Sequence, residues 1–162
     1  MFVRTAGERD LAAVRDLLVE TWHATYDAIY GVEKVNDITG EWHSINALKV
    51  RLVRPNSEFL VADDGKRIGG MAFAAATSDP AIVLLHQLYV RPDCQRKGIG
   101  KLLLDEIEES FPEAKILRLE VEEANGPAVA FYRVNGFLPA GSTSDCGGGS
   151  GLPALVFEKT LA

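Results

Sequence analysis

The chain has 162 residues, of which 47% are hydrophobic and 25% charged, and its formal net charge is −6. This length fits one domain over residues 1–162, and no apolar run approaches the roughly 20 residues of a membrane-spanning helix. The acidic balance argues against binding along the phosphate backbone of nucleic acid. The first residues lack the apolar core of a signal peptide, so we expect a cytoplasmic protein. Cys94 and Cys146 are too few for a disulfide framework, and we expect both to be free thiols.

The N-terminal third predicts a short strand followed by two helices. Residues 2–4 have the character of a strand, and residues 8–27 place apolar side chains at the spacing of an amphipathic helix. Residues 31–36 form a predicted connection. The second helix is predicted over residues 37–53, where the apolar positions are loosely periodic and Pro55 marks the end.

Three aromatic residues follow one another on the first predicted helix. Trp22, Tyr26 and Tyr30 recur at intervals of four residues, so they share one stripe where the helix ends. Such a stripe is typical of core packing. It is equally suited to line a pocket for a flat or apolar substrate, and the sequence leaves both interpretations open.

The middle of the chain predicts three strands. Residues 59–62, 68–76 and 82–90 are apolar runs separated by turns with Asp-Gly and Asp-Pro signals. The second strand contains small residues at Gly69-Gly70 and at 74–76. These small residues suit close packing of the sheet, and they would also leave room for a long ligand chain.

The C-terminal third continues the alternation of helices and strands. In order, the predicted elements are a helix from Ile99 that ends before Pro112, a strand over 116–121, a helix from Asn125 to Gly136, a strand over 138–140, a Gly/Ser-rich loop over 141–151 and a strand over 154–159. The whole order is β-α-α-β-β-β-α-β-α-β-β. It predicts an α/β fold with a mixed sheet of about seven strands and helices on both faces.

The loop between the third apolar strand and the next helix carries the most informative pattern. The first N–H groups of a helix have no intrahelical partners and carry partial positive charge. Glycine lets a phosphate approach the main chain. The loop combines Gln95, Arg96, Lys97, Gly98, Ile99 and Gly100 with the further cations Arg91 and Lys101. We therefore predict that it seats a pyrophosphate.

Two common phosphate-binding loops do not fit this pattern. A Walker A loop requires glycine and Ser or Thr where this chain has Gln95 and Leu102. A dinucleotide fingerprint requires a third glycine at the position of Leu103. The remaining pattern, Gln-x-x-Gly-x-Gly after a strand, resembles the coenzyme A loop of the GCN5-related N-acetyltransferases, the GNAT family.

A second pattern, over residues 119–137, is similar to the C-terminal signature of the same family. Leu-x-Val is followed in order by Asn125, an alanine, Phe131-Tyr132 and Gly136-Phe137. Because the two patterns are independent and lie in the correct order, the chain is identified as a member of the family over about residues 58–140. The resemblance implies the acyl-CoA N-acyltransferase fold, a mostly antiparallel sheet, and use of acetyl-CoA without a metal.

The resemblance also implies roles for individual residues. Tyr132 would be the acid that protonates the departing thiolate, and Asn125 would contact the pantetheine arm. The main chain of residues 88–90 would bond to that arm like an added strand, and an N–H near Val90 would polarise the thioester oxygen. The implied cofactor contacts are Leu88, Tyr89, Val90, Gln95, Arg96, Lys97, Gly98, Ile99, Gly100, Lys101, Asn125, Ala128 and Phe131.

The general base stays open between Glu120, His86 and an ordered water. A lysine-like amine is almost entirely protonated at neutral pH, so a proton acceptor is useful. Glu120 lies twelve residues before Tyr132, the separation found in ribosomal-protein acetyltransferases of the family, while His86 lies on the strand before the loop. Where histone-type members place a strand glutamate this chain has Leu84, so that arrangement does not carry over.

Three functions are compatible with these patterns. The first is an enzyme that acetylates a primary amine of a small molecule, peptide or protein by direct attack in a ternary complex. The alternatives are a non-catalytic acyl-CoA-binding or sensing domain, and an acyltransferase that uses a longer acyl chain. Tyr132 favours the first, because a binder needs no acid for a leaving group. Trp22, Tyr26 and Tyr30 are the candidate acceptor contacts, and family habit implies a homodimer.

Overall fold

The computed structural model describes residues 1–143 and 154–161, so Cys146 and most of the predicted Gly/Ser-rich loop lie outside the described residues. The strands within these ranges are β1 (Phe2–Thr5), β2 (Ser57–Asp63), β3 (Ile68–Ala76), β4 (Ile82–Val90), β5 (Ile116–Glu122), β6 (Leu138–Thr143) and β7 (Ala154–Thr160). The α-helices are α1 (Leu11–Tyr30), α2 (Val32–Trp42), α3 (Ile45–Leu52), α4 (Ile99–Ser110) and α5 (Gly126–Val134).

All of these strands belong to one mixed sheet. Their order is β1-β2-β3-β4-β5-β7-β6. Every neighbouring pair is antiparallel except β4 and β5, which are parallel. A parallel pair needs a crossover connection, and α4 supplies it. The predicted α/β fold with a mostly antiparallel sheet is confirmed.

The parallel pair separates part-way along its length. The pairing runs from Ile82 opposite Ile116 to Leu85 opposite Leu119. Both strands continue beyond that point, to Val90 and Glu122. The register of β4 against β3 also shifts next to His86, which marks a bulge, and a bulge bends and twists its strand. The carboxyl ends of β4 and β5 therefore diverge and open a gap in the sheet.

The helices cover the two faces of the sheet, as predicted. Alternate residues of β2 show the division, since Leu60 packs in the cluster with α4 and α5 while Val61 packs in the cluster with α1 and α3. Gly70 of β3 serves the first of these contacts. A Cβ at Gly70 would lie 3.0 Å from Leu103 Cδ1 and 3.1 Å from Ile99 Cγ2. Close approach of α4 accounts for this glycine, which favours the packing interpretation over room for a longer acyl chain.

The prediction of a single second helix over residues 37–53 was wrong. The structure has α2 and α3 there, and α2 begins at Val32, inside the predicted connection. Ser44 separates the two helices because its Oγ accepts a hydrogen bond from the Ala47 N–H (3.1 Å) as the N-cap of α3. Loose apolar periodicity hides such a break, although Ser44 before Ile45 was a readable capping signal.

Two kinds of feature are absent from the described part of the chain. No helix there combines the length and the apolar character that a membrane crossing requires. No three or more His, Cys, Asp or Glu side chains are grouped there so that they could hold a metal ion.

Candidate functional site

A cleft of about 1630 Å³ occupies the gap between the diverging ends of β4 and β5. We call the part formed by residues 88–101 and 124–132 the α4 side. We call the part formed by α1, α2, α3, Phe73, the bulge at His86 and the end of β5 the α1 side. The cleft is continuous between them, so a ligand on one side can meet a ligand on the other within the gap.

The loop on the α4 side presents main-chain groups to the cleft. Gly98 has a left-handed φ of 81°, and a Cβ built on it would meet nothing within 4 Å. No side chain caps the N-terminus of α4, and residues 95–98 are exposed. The first amides of this 12-residue helix therefore face an open space. Such a terminus attracts phosphate through its free N–H groups and its dipole.

The cations around this loop do not all face the cleft. Arg91 turns toward α1, where Nη1 bonds to Glu20 at 2.6 Å and Nε donates to the Ile68 carbonyl at 2.8 Å. The prediction that Arg91 lies beside the phosphate seat was wrong, because its guanidinium instead contacts α1 and the start of β3. Arg96 and Lys101 line the cleft, whereas Lys97 is exposed beside it. The other implied cofactor contacts all line the cleft.

The two sequence motifs meet at a close contact between α4 and α5. A Cβ at Gly100 would lie 3.1 Å from Phe131 Cζ, so only glycine lets α5 approach this closely without adjustment. The neighbouring Tyr132 is buried, with ring centroids of Phe131 and Phe137 at 5.3 Å and 5.4 Å. Burial raises the pKa of Tyr132 well above its ordinary value. Its hydroxyl is therefore protonated at neutral pH.

Hydrogen bonds from α1 reach across the cleft to β5 and α5. The Tyr30 hydroxyl donates to Glu122 Oε2 at 2.6 Å. Asn125 Nδ2 donates to the Tyr26 hydroxyl at 3.1 Å, while Asn125 Oδ1 accepts from the Ala128 N–H at 3.3 Å as the N-cap of α5. The proposed pantetheine contact is therefore also the residue that ties α1 to α5.

The aromatic stripe of α1 combines the two interpretations that the sequence left open. Trp22 and Tyr26 are only 3% and 4% exposed, and their ring centroids are 4.5 Å apart, so both rings are packed. Both nevertheless line the cleft, whereas Tyr30 stacks on Tyr26 at 5.7 Å and lies beside the cleft wall. Trp22 and Tyr26 therefore form one wall of the α1 side.

The two candidate bases lie on opposite sides of the gap. Glu120 is exposed on β5, just past the last residue that pairs with β4. His86 is exposed in the bulge of β4 and lines the same cleft. Desolvation within the cleft, followed by the charges of Arg54 and Arg51, lowers the pKa of His86 to about 4. His86 is therefore neutral at pH 7 but a weak base.

Several residues of the cleft were not predicted, and four of them are polar side chains that are buried or partly buried. His43 is 1% exposed, and burial, followed by the charge of Arg51, lowers its pKa to about 3. Gln87 Nε2 lies 3.4 Å from His43 Nδ1, and Arg51 Nη2 donates to the Trp42 carbonyl at 2.6 Å. The fourth is the buried Glu122. No motif links these positions along the chain, so only the fold brings them together.

Comparison with known proteins gives one consistent result. The family model described as the acetyltransferase (GNAT) family matches residues 11–137. The spermidine N(1)-acetyltransferase of Thermoplasma acidophilum is 31% identical over 83% of this chain and 86% of its own. A peptidyl-lysine N-acetyltransferase of Escherichia coli is 29% identical over 83% of this chain and 82% of its own.

A solved structure is also similar over nearly the whole chain. The crystal structure of the PaiA N-acetyltransferase from Thermoplasma acidophilum, in complex with coenzyme A, has a TM-score of 0.88 and 26% sequence identity. The match covers 99% of this chain and 98% of that one.

Proposed function

The chain belongs to the GNAT family of acetyltransferases, and from this membership we propose how its cleft works. It is an N-acetyltransferase that depends on acetyl-CoA. Acetyl-CoA supplies a thioester that an amine attacks, with a thiolate as the leaving group. The observation that carries our assignment of roles is the position of Tyr132, buried in the wall of the cleft beside the gap between β4 and β5.

The α4 side binds the cosubstrate. The open amides at Gly98, Ile99 and Gly100 hold the diphosphate, with Arg96 and Lys101 adding positive charge at the edge. The main chain of residues 88–90, which line the cleft beyond the last residue paired with β5, bonds to the pantetheine arm. Asn125, Ala128 and Phe131 form the opposite wall.

Tyr132 is the general acid. Its hydroxyl is protonated at neutral pH, and the departing sulfur receives that proton as the negative charge develops on it. The rings of Phe131 and Phe137 hold the phenol in place, so the proton is presented in one direction.

Glu120 is the base that we favour, acting directly or through a water. It lines the cleft on β5, and its separation from Tyr132 is that of the ribosomal-protein acetyltransferases. His86 is the weaker candidate, because a pKa of about 4 leaves the imidazole little affinity for a proton taken from an amine. Its place in the bulge suits a role in positioning the acceptor.

The acceptor is a primary amine of a small molecule or of a peptide or protein. Relatives named for spermidine and for peptidyl-lysine support this class. Trp22 and Tyr26 contact the acceptor, whereas Tyr30 stacks on Tyr26 outside the lining of the cleft. A cytoplasmic location and a homodimer remain predictions, and light scattering on the purified chain tests the second.

The decisive experiment is Tyr132→Phe. We expect kcat at neutral pH to fall about tenfold or more, because the phenolic proton is lost while the ring is kept. The affinity for acetyl-CoA, measured by calorimetry, should stay within about twofold, and the thermal midpoint should change little. A matching loss of acetyl-CoA affinity would instead make Tyr132 a structural residue.

A further inference from the structure

The α1 side of the cleft contains two arginines that form no ion pair with any acidic residue of the described ranges. Arg51 and Arg54 both line the cleft, and neither forms an ion pair within residues 1–143 and 154–161. Arg51 Nη1 is a buried donor without a hydrogen-bond partner among the same residues. Glu41, exposed at the rim of the cleft, pairs with neither arginine. In a chain of net charge −6, an uncompensated pair of cations in a cleft needs an explanation.

The two arginines belong to one cluster rather than to two separate positions. The guanidinium carbon of Arg54 lies 6.0 Å from the centroid of the Phe73 ring, and the ring of His86 lies 5.7 Å from the same centroid. Arg51 is close enough to His86 for its charge, like that of Arg54, to lower the pKa of the imidazole. The cationic cluster is therefore defined as Arg54 and the neutral His86 around Phe73, together with Arg51 in the same cleft.

A partly desolvated cation without a counter-ion is costly, and an incoming anion would remove that cost. Burial lowers the pKa of Arg51, which is the expected sign of this cost. The planar guanidinium also matches the geometry of a carboxylate or phosphate. The cluster is thus built to receive an anionic oxygen group.

Apart from Glu41 at the rim, the acidic residues of the α1 side lie away from this cluster, across the sheet. Glu120 and Glu122 are on β5, whereas Phe73 is on β3, and β4 lies between these two strands. Strands two places apart are separated by roughly 10 Å. The α1 side therefore offers negative charge near the gap, where the amine must react, and positive charge roughly 10 Å away.

We propose that the acceptor of this enzyme carries, besides its reactive primary amine, an anionic oxygen group that binds Arg51 and Arg54. The proposal rests on the proposed function, because it assigns the amine to the gap beside Glu120. It defines the acceptor as a molecule with opposite charges at its two ends, and it predicts discrimination against acceptors that are cationic at both ends.

The test compares three acceptors of equal length that differ only in the distal group. These are 6-aminohexanoate, the neutral 6-aminohexanamide and the cationic 1,6-diaminohexane, with an aminoalkyl phosphate as a second anion. Thiol release from acetyl-CoA gives kcat/KM for each. We expect 6-aminohexanoate to exceed the amide by about tenfold, since hydrogen bonds to charged groups contribute about 1.5–3 kcal/mol. A higher kcat/KM for the aminoalkyl phosphate than for 6-aminohexanoate would still support the subsite and would identify its preferred anion.

Arg54→Gln is the informative variant, because Arg54 is exposed and its loss should spare the fold. It should raise KM for 6-aminohexanoate about tenfold and leave KM for the amide and the diamine nearly unchanged. Lys49→Gln is the matched control, since it removes one positive charge from α3, the helix that ends just before Arg54, at a side chain that is 52% exposed and outside the cleft lining. Equal kcat/KM for the three acceptors, or an equal loss for all three in Arg54→Gln, would overturn the proposal.

A binding measurement separates this proposal from the proposed function. The same acceptors are titrated by calorimetry into the protein saturated with coenzyme A, where no turnover occurs. Selective binding of 6-aminohexanoate that Arg54→Gln removes would support the anion subsite even in a preparation that acetylates none of the amines, which would count against the proposed function alone. Equal affinity for the acid and the amide would overturn the anion subsite.

Discussion

The α4 side of the cleft offers main-chain groups, whereas the α1 side offers side chains from distant parts of the chain. On the α4 side, the amides after Gly98 and the end of β4 lie within a short stretch of sequence. On the α1 side, Trp22, His43, Arg51 and Gln87 come from two helices, the turn between α2 and α3, and a strand. Main-chain recognition suits a cosubstrate shared by a whole family. Side-chain recognition suits an acceptor that differs from one member to the next.

The largest effect should come from a variant that blocks cosubstrate binding on the α4 side. We expect Gly98→Glu to weaken acetyl-CoA binding about a hundredfold or more, because a side chain and a negative charge would occupy the phosphate seat. Gly98 has a φ of 81°, so backbone strain must be separated from this effect. Gly65→Glu is the control, since Gly65 has a φ of 93°, equally open surroundings and a place in the turn before β3. Calorimetry should show weakened binding for the first variant alone; equal weakening in both would refute the phosphate seat.

As the pH falls, the α1 side should lose stability before the α4 side does. The pKa of His43 is about 3 in the folded chain against an ordinary value of 6.5. Between these values the unfolded chain binds a proton that the folded chain excludes, so stability is present above about pH 6.5 and is lost as the pH falls below it. We expect His43→Gln to flatten this loss, which is on the order of a few kcal/mol.

Urea unfolding between pH 7.5 and 4.5 measures the effect of His43→Gln. His86→Gln is the comparison, because His86 is exposed, so solvent screens the charges around it and its removal should flatten the curve less. Hydrogen exchange at pH 5 should show faster exchange in α1 to α3 than in α4 and α5. A stability curve that keeps its slope without His43 would contradict the prediction.

A smaller effect is expected where the two motifs touch. Gly100→Ala places a Cβ about 3.1 Å from Phe131, so α5 must shift or the ring must turn. We expect a loss of about 1–2 kcal/mol in stability and a raised KM for acetyl-CoA. Gly40→Ala is the matched helical control, because a Cβ there meets nothing within 4 Å and should stabilise α2 by up to about 1 kcal/mol. Thermal unfolding of both variants tests the pair; a stabilised Gly100→Ala would show that the contact has room.

The smallest effect should be confined to the α1 side. Tyr30→Phe removes the 2.6 Å hydrogen bond to Glu122 without removing the ring that stacks on Tyr26. We expect KM for the amine to rise about threefold, with acetyl-CoA affinity unchanged, because one hydrogen bond contributes about 0.5–1.5 kcal/mol. Steady-state kinetics with each substrate varied in turn gives KM for the amine and KM for acetyl-CoA separately. A change in KM for acetyl-CoA alone would show that Tyr30 acts through α5 instead.

The fold and the α4 side were predictable because both depend on local rules. Strand and helix periods, the glycine with positive φ at Gly98 and the cap at Asn125 are each encoded within a few residues. Gly136, predicted to end α5, likewise has a positive φ of 94°. The break between α2 and α3 was missed because apolar spacing was weighed above the cap at Ser44.

The sequence alone therefore determined the sheet, most of its helices and the glycine-bearing N-terminus of α4, since backbone geometry and helix ends follow from neighbouring residues. Only the tertiary structure decided what faces the acceptor. It turned Arg91 away to Glu20, brought Arg54 and His86 around Phe73, and placed Arg51 in the same cleft. Charge and burial at such positions depend on residues tens of positions apart, and no local pattern records which of them will meet.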